Sequence, residues 1–285
     1  MTQPILTPTL LAAPVSGGAG APVPPVLVLG AGLGTAVGAL WAEALPYLEG
    51  FQVVGIDLPG HGRSPAAAGP FSVAELAGAV AATVRALQQS GDLAPASPVY
   101  YAGVSLSGAV GLQLGLDAPE LFAGIGVICS AAKLGNPEAW LQRAETVRVS
   151  GTPTMLTGSA QRWFAPGFME AYPQRASGLL HSLQQADRFS YAWCCEALSA
   201  FDLRSELGRL AVPVLVIAGD RDQVCPPVQA EETAAGVQDG RCAVVVGVAH
   251  QAPLEAPQQT VALLRDFFTA LGPERGPTSH ERTVQ

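Results

Sequence analysis

Apolar residues fall in continuous blocks along this chain, separated by glycine- and proline-rich breaks. Pro25-Val-Leu-Val-Leu29 is one such block, and an unbroken run of that length belongs to a strand buried on both faces. Similar runs at 51–56, 98–104, 122–129, 212–218 and 242–246 predict further strands. Between them the spacing turns helical. Val73, Leu76, Val80, Val84 and Leu87 repeat on one face, which is the mark of an amphipathic helix. Ser72 and Glu75 have the spacing of a capping box, Phe71 and Leu76 stand at the staple positions, and Gly91 ends the helix. Residues 109–116 read as a buried helix, and other helices are predicted near 39–48, 227–235 and 260–271. In the last of these Val261, Leu264, Phe268 and Leu271 form the inner face, and Gly272-Pro273 stops it.

The alternation breaks once. From about 133 to 210 the pattern is helical, holds three of the four tryptophans and contains no plausible core strand. The pattern as a whole predicts an α/β fold: a mostly parallel sheet flanked by helices, its core formed by 25–132 and 211–272, with a helical lid inserted at 133–210. Residues 1–24 are rich in Pro, Gly and Ala with one possible edge strand at about 5–12, and 273–285 form a polar tail expected to be disordered.

Composition narrows the function. With 285 residues and 49% hydrophobic positions the chain can bury a large core, and its net charge of −8 argues against binding nucleic acid. The first basic residue is Arg63, so no basic leader region precedes an apolar segment, and no apolar run is long enough to span a membrane. The five cysteines (129, 194, 195, 225, 242) lack zinc spacing. They are expected to be reduced thiols in a cytoplasmic protein, with Cys194-Cys195 two buried thiols on a helix.

The chemistry gathers around Gly103-Val-Ser-Leu-Ser-Gly108, where a strand turns sharply into a helix at Ser105. That is the geometry of a nucleophile elbow, which exposes the serine hydroxyl at a helix N-terminus. Ser107 stands where G-x-S-x-G has its second glycine; it is small, as the position requires, and its own flanks fit the elbow less well as a nucleophile. A serine nucleophile needs a base and the base an orienting acid. Of the four histidines only His250 follows a late strand, while His61, between two glycines in an early turn, suits a loop-fixing role. The loop after the preceding strand offers Asp220 and Asp222. The order Ser…Asp…His, each just after a predicted strand, matches a known arrangement of the triad. Leu106 N–H and Leu33 N–H, the latter from the first strand–helix loop, are the expected oxyanion donors. The Gly30-Ala-Gly-Leu-Gly34 stretch lacks the full dinucleotide-binding spacing, and no metal or organic cofactor is expected.

The elbow, Asp57-Leu-Pro-Gly-His-Gly-Arg-Ser64, the 219–226 loop and His250 resemble the α/β-hydrolase superfamily over about residues 25–271. In that superfamily's G-x-x-D pattern the acid falls on Asp222. The stretches 130–140, 162–168 and 194–204 resemble 3-oxoadipate enol-lactonases, which act in bacterial β-ketoadipate catabolism of protocatechuate and catechol. The resemblance implies hydrolysis of an anionic lactone to 3-oxoadipate. Between 133 and 200 the chain has six Lys/Arg against five Asp/Glu, a slight positive excess in an acidic protein. Lys133, Arg143 and Arg162 are therefore candidate carboxylate ligands, with Trp140 and Trp163 beside the arginines. The competing expectations are another esterase, a carbon–carbon bond hydrolase, a perhydrolase, or a non-catalytic binding protein of the same fold. The last class usually lacks a triad member.

Overall fold

The computed structural model describes residues 3–13, 23–93 and 97–272. A seven-stranded sheet forms the centre: β1 (Pro8–Ala12), β2 (Val26–Gly30), β3 (Gln52–Ile56), β4 (Val99–Val104), β5 (Gly124–Ile128), β6 (Val214–Gly219) and β7 (Gly240–Val245). Their spatial order is β1-β3-β2-β4-β5-β6-β7, and every pairing is parallel except that of β1 with β3. The possible edge strand in the N-terminal segment is thus real, five residues long and half-buried. It is held in place partly by the Thr7 N–H, which donates to Ser64 Oγ at 3.0 Å. Strands β2, β4, β5 and β6 are buried at every residue, as continuous apolar runs require.

The helices are α1 (Val37–Trp41), α2 (Val73–Ser90), α3 (Leu106–Asp117), α4 (Pro137–Ser150), α5 (Leu156–Trp163), α6 (Phe168–Ala171), α7 (Pro173–Gln185), α8 (Arg188–Ser199), α9 (Pro227–Gly236), α10 (Ala252–Glu255) and α11 (Pro257–Ala270). In α2 both halves of the Ser72–Glu75 capping box are formed, and Gly91 closes the helix at φ 83°. The first helix is shorter than its sequence suggests. It ends at Trp41 and gives way to a 3₁₀ turn at Leu45–Tyr47, where Pro46 supplies no N–H to extend an α-helix. Helices α4 to α8 all lie between β5 and β6, where the strand pattern lapses, and α8 packs along α4. The tail at 273–285 lies outside the described residues.

All five cysteines are free, and Cys194 and Cys195 are buried neighbours on α8. Among the described residues no helix is long and apolar enough to cross a membrane.

Candidate active site

Ser105 follows β4 directly and caps α3 with φ 54° and ψ −117°, a left-handed backbone that a non-glycine residue adopts only under strain. Its surroundings enforce the turn. A Cβ on Gly103 would lie 2.2 Å from the Ser107 carbonyl oxygen, and one on Gly108 would lie 2.5 Å from Ser130 Cβ. Strand and helix can therefore meet this closely only through glycine. Ser107 takes the remaining position without strain. It is buried, its Oγ donates to the Ala31 carbonyl at 2.6 Å, and its own carbonyl accepts from Tyr101 OH at 2.9 Å. Ser105 itself is only partly buried.

The loop from 30 to 37 lies against Ser105, since a Cβ on Gly32 would stand 3.4 Å from Ser105 Cβ. It is braced at nearly every residue. Gly30 O accepts from Trp41 Nε1, Gly32 O accepts from the Thr35 N–H and Oγ1, and Val37 N–H donates to Asp57 Oδ1 at 2.7 Å. Gly34 N–H donates to His61 Nε2 at 3.0 Å, and His61 Nδ1 lies 2.8 Å from Pro59 O. This places the His61 proton on Nδ1 and gives the residue the loop-fixing role its flanking glycines suggest. Burial lowers the His61 pKa, partly offset by the Pro59 carbonyl. Among the described residues none accepts a hydrogen bond from the Leu33 or Leu106 N–H. Both are therefore free to serve a ligand.

Asp222 and His250 meet beyond β6 and β7, with His250 Nδ1 2.8 Å from Asp222 Oδ2 and both side chains almost wholly buried. Asp222 Oδ1 accepts from the N–H groups of Val224 and Cys225 at 2.7 and 3.0 Å, which locks the carboxylate in place. Asp220 serves the loop instead, accepting from Gly247 N–H at 2.6 Å and lying beside Arg221. Residues 128–130 connect this pair to the serine. Ser105 N–H donates to Ile128 O, Ser130 Oγ donates to Ser105 O, and Cys129 Sγ between them contacts Ala249 O at 3.5 Å. Cys129, Asp222 and His250 offer ligand atoms within 4.8 Å of one another. Burial, then the Asp222 charge, holds the Cys129 thiol well above its ordinary value, so the thiolate that a metal would need is disfavoured.

The helical insertion closes over this corner. Trp163 is buried, its carbonyl accepts from His250 N–H at 3.1 Å, and its ring reaches the Gly34 position. Tyr191 stacks on His61 with ring centroids 6.1 Å apart. The Arg143 guanidinium lies 5.5 Å from the centroids of both Tyr191 and Trp140, and its Nε is buried with no hydrogen-bond acceptor. Arg162 is the more open of the two; partial desolvation and then the Arg143 charge lower its pKa. It lines a cleft of about 520 Å³ with Phe164, Arg221 and Asp222. Trp140 is half-buried and donates to Leu134 O at 2.7 Å.

Lys133 departs from expectation. Its ammonium lies 3.4 Å from Asp202, and it lines a separate cavity of about 290 Å³ that none of Ser105, Asp222 and His250 borders. Its place near the start of the insertion points to a carboxylate ligand, but the ammonium lies by Asp202, which Arg204 also holds, and away from the cleft that Arg162 lines. Glu255 and the His61–Gly34 contact went unnoticed in sequence, because each joins segments that no local motif links.

Over residues 25–257 the sequence matches the family described as serine aminopeptidase, S33. It is 36% identical over 201 residues to 3-oxoadipate enol-lactonase 2 of Acinetobacter baylyi, spanning 70% of this chain and 72% of that one. The crystal structure of the enol-lactonase from Burkholderia xenovorans LB400 is similar with a TM-score of 0.81 at 28% identity, covering 93% of this chain and 96% of that one. A thermophilic esterase from Thermogutta terrifontis reaches a TM-score of 0.82 at 20% identity, with 93% of each chain covered, so the fold alone does not select a substrate. With the family match spanning most of its length, this protein belongs to the α/β-hydrolase superfamily, within the serine aminopeptidase S33 family, and is a hydrolase.

Proposed function

We propose that the protein is a serine hydrolase that opens 3-oxoadipate enol-lactone to 3-oxoadipate, with Ser105 as nucleophile, His250 as base and Asp222 as orienting acid. The observation that supports the hydrolytic part is the buried 2.8 Å His250–Asp222 contact, joined to the strained Ser105 elbow through the 128–130 segment. His250 takes the Ser105 proton on Nε2 as Oγ attacks the ring carbonyl, and Asp222 stabilises the resulting imidazolium. The oxyanion receives the Leu33 and Leu106 N–H groups; such preorganised donors contribute about 3 kcal/mol each. The ring C–O bond breaks with departure of an enolate, which takes the proton held by the His250 imidazolium and becomes a ketone, leaving His250 neutral. Water, deprotonated by His250, then cleaves the acyl-enzyme and releases 3-oxoadipate. These steps require no metal or organic cofactor.

The lactone reading draws on the relatives' activity and on the arginine corner. Arg143 offers a buried N–H without an acceptor beside Tyr191, which itself stands over the Gly34 loop. A substrate carboxylate would supply that acceptor and gain a charge-assisted bond. The reading is tested by incubating the purified protein with the enol-lactone and following loss of its ultraviolet absorbance. Turnover of simple aryl esters without turnover of the lactone would reassign the protein as a different esterase.

A further inference from the structure

Glu255 ends the short helix α10, and its carboxylate turns back onto the His250 loop. Oε1 accepts from the Ala249 and Gln251 N–H groups, both at 3.1 Å, the two amides that flank His250. Oε2 accepts from Ala165 N–H at 2.7 Å, just beyond α5 in the helical insertion. The amide between the flanking pair, His250 N–H, donates to Trp163 O. Three consecutive amides are thus pinned, two by one carboxylate and one by the insertion backbone.

We propose that Glu255 is a positioning residue for His250: it sets the loop so that the imidazole meets Asp222, and it ties that loop to the helical insertion. This inference rests on His250 acting as the base. The chemistry of the side chain argues for it, because only an ionised carboxylate has acceptors for all three N–H groups. A carboxamide has one oxygen, and its NH₂ would face an N–H donor. The groups facing Glu255 are the three amides and His250, and Cys129 lies close enough to feel its charge. Burial raises the Glu255 pKa, and the three amides and His250 pull it back. A charge kept where desolvation opposes it suits a role in function more than one in stability.

The test compares wild type with Glu255→Gln, Glu255→Ala and His250→Ala, using an uncharged aryl ester so that lactone specificity does not enter. For both Glu255 variants kcat should fall about tenfold or more with KM within about twofold. The far-downfield Nδ1–H proton resonance of the His250–Asp222 pair should broaden or move in both. Glu255→Gln keeps the size and shape of the side chain, so it carries the test if the alanine variant does not fold. Wild-type kcat and an unmoved resonance in Glu255→Gln, with His250→Ala inactive, would overturn the inference and leave the base assignment standing. Full activity in His250→Ala would overturn the base assignment and this inference with it.

Discussion

The Gly34 N–H donates to His61 Nε2 at 3.0 Å across 27 residues of sequence, so the turn after β3 holds the loop after β2. That loop carries Leu33, a candidate oxyanion donor. The bond needs a neutral imidazole with its proton on Nδ1, and protonating Nε2 would set two N–H donors against each other.

A pH dependence follows. Burial lowers the folded-state pKa of His61 below its ordinary 6.5. Below that value the unfolded chain takes up a proton that the folded one resists, so the His61 contribution is present above about pH 6.5 and is lost as pH falls. Urea unfolding at pH 7.5 and pH 5.5 should show a smaller pH-dependent loss in His61→Gln than in wild type. At pH 7.5 the variant should itself be destabilised by about 1–3 kcal/mol, because Gln cannot at once accept from Gly34 N–H and donate to Pro59 O as the ring does. An identical pH dependence in the two proteins would contradict this role.

The elbow gives a steric prediction. Gly103→Ala puts a methyl group 2.2 Å from a backbone oxygen that cannot move without displacing α3. It should lower the melting temperature severely or prevent folding. Ser107→Gly, by contrast, creates no clash and removes the hydroxyl bond to Ala31 O and one buried Cβ. It should cost about 1 kcal/mol and leave most activity. Thermal melts and ester hydrolysis of both variants check the ranking.

The two aspartates of the 219–226 loop should separate cleanly. Ser105→Ala and His250→Ala should lose ~10⁴-fold or more in kcat with unchanged circular dichroism. Asp222→Asn should lose orders of magnitude as well, because His250 Nδ1 would no longer face a carboxylate. Asp220→Asn touches the Gly247–Val248 turn and the Arg221 contact and should act mainly on stability. Equal kinetic losses in Asp220→Asn and Asp222→Asn would put the assignment in question.

We propose that Arg143 and Arg162, and not Lys133, read substrate charge. Arg143→Gln should raise KM for the anionic lactone about tenfold, equivalent to about 1.4 kcal/mol, while an uncharged aryl ester is nearly unaffected. Lys133→Gln breaks an ion pair with Asp202, half-exposed on both sides, and should change neither KM. If Arg143→Gln, Arg162→Gln and wild type treat the two substrates alike, specificity comes from the shape of the pocket.

Much of this molecule is written locally. The strands at 26–30, 99–104 and 214–219 and the capped helix at 73–90 follow from apolar runs, periodicity and end signals a few residues long. The order Ser105, Asp222, His250 at strand ends is legible for the same reason, since each stands in a turn that its neighbours announce. What the sequence could not decide is which distant groups meet. Residue spacing by itself leaves Asp220 and Asp222 both open; the resemblance favours Asp222, and the fold sets that carboxylate against His250. Lys133 finds Asp202 through a bridge formed across 69 positions of chain. Ser107 has Ala31 as its partner 76 residues away, and Glu255 has Ala165 90 residues away. Such contacts depend on the relative placement of whole elements, set by the packing of the sheet, the helices and the insertion together. A side chain's local spacing contains no information about it.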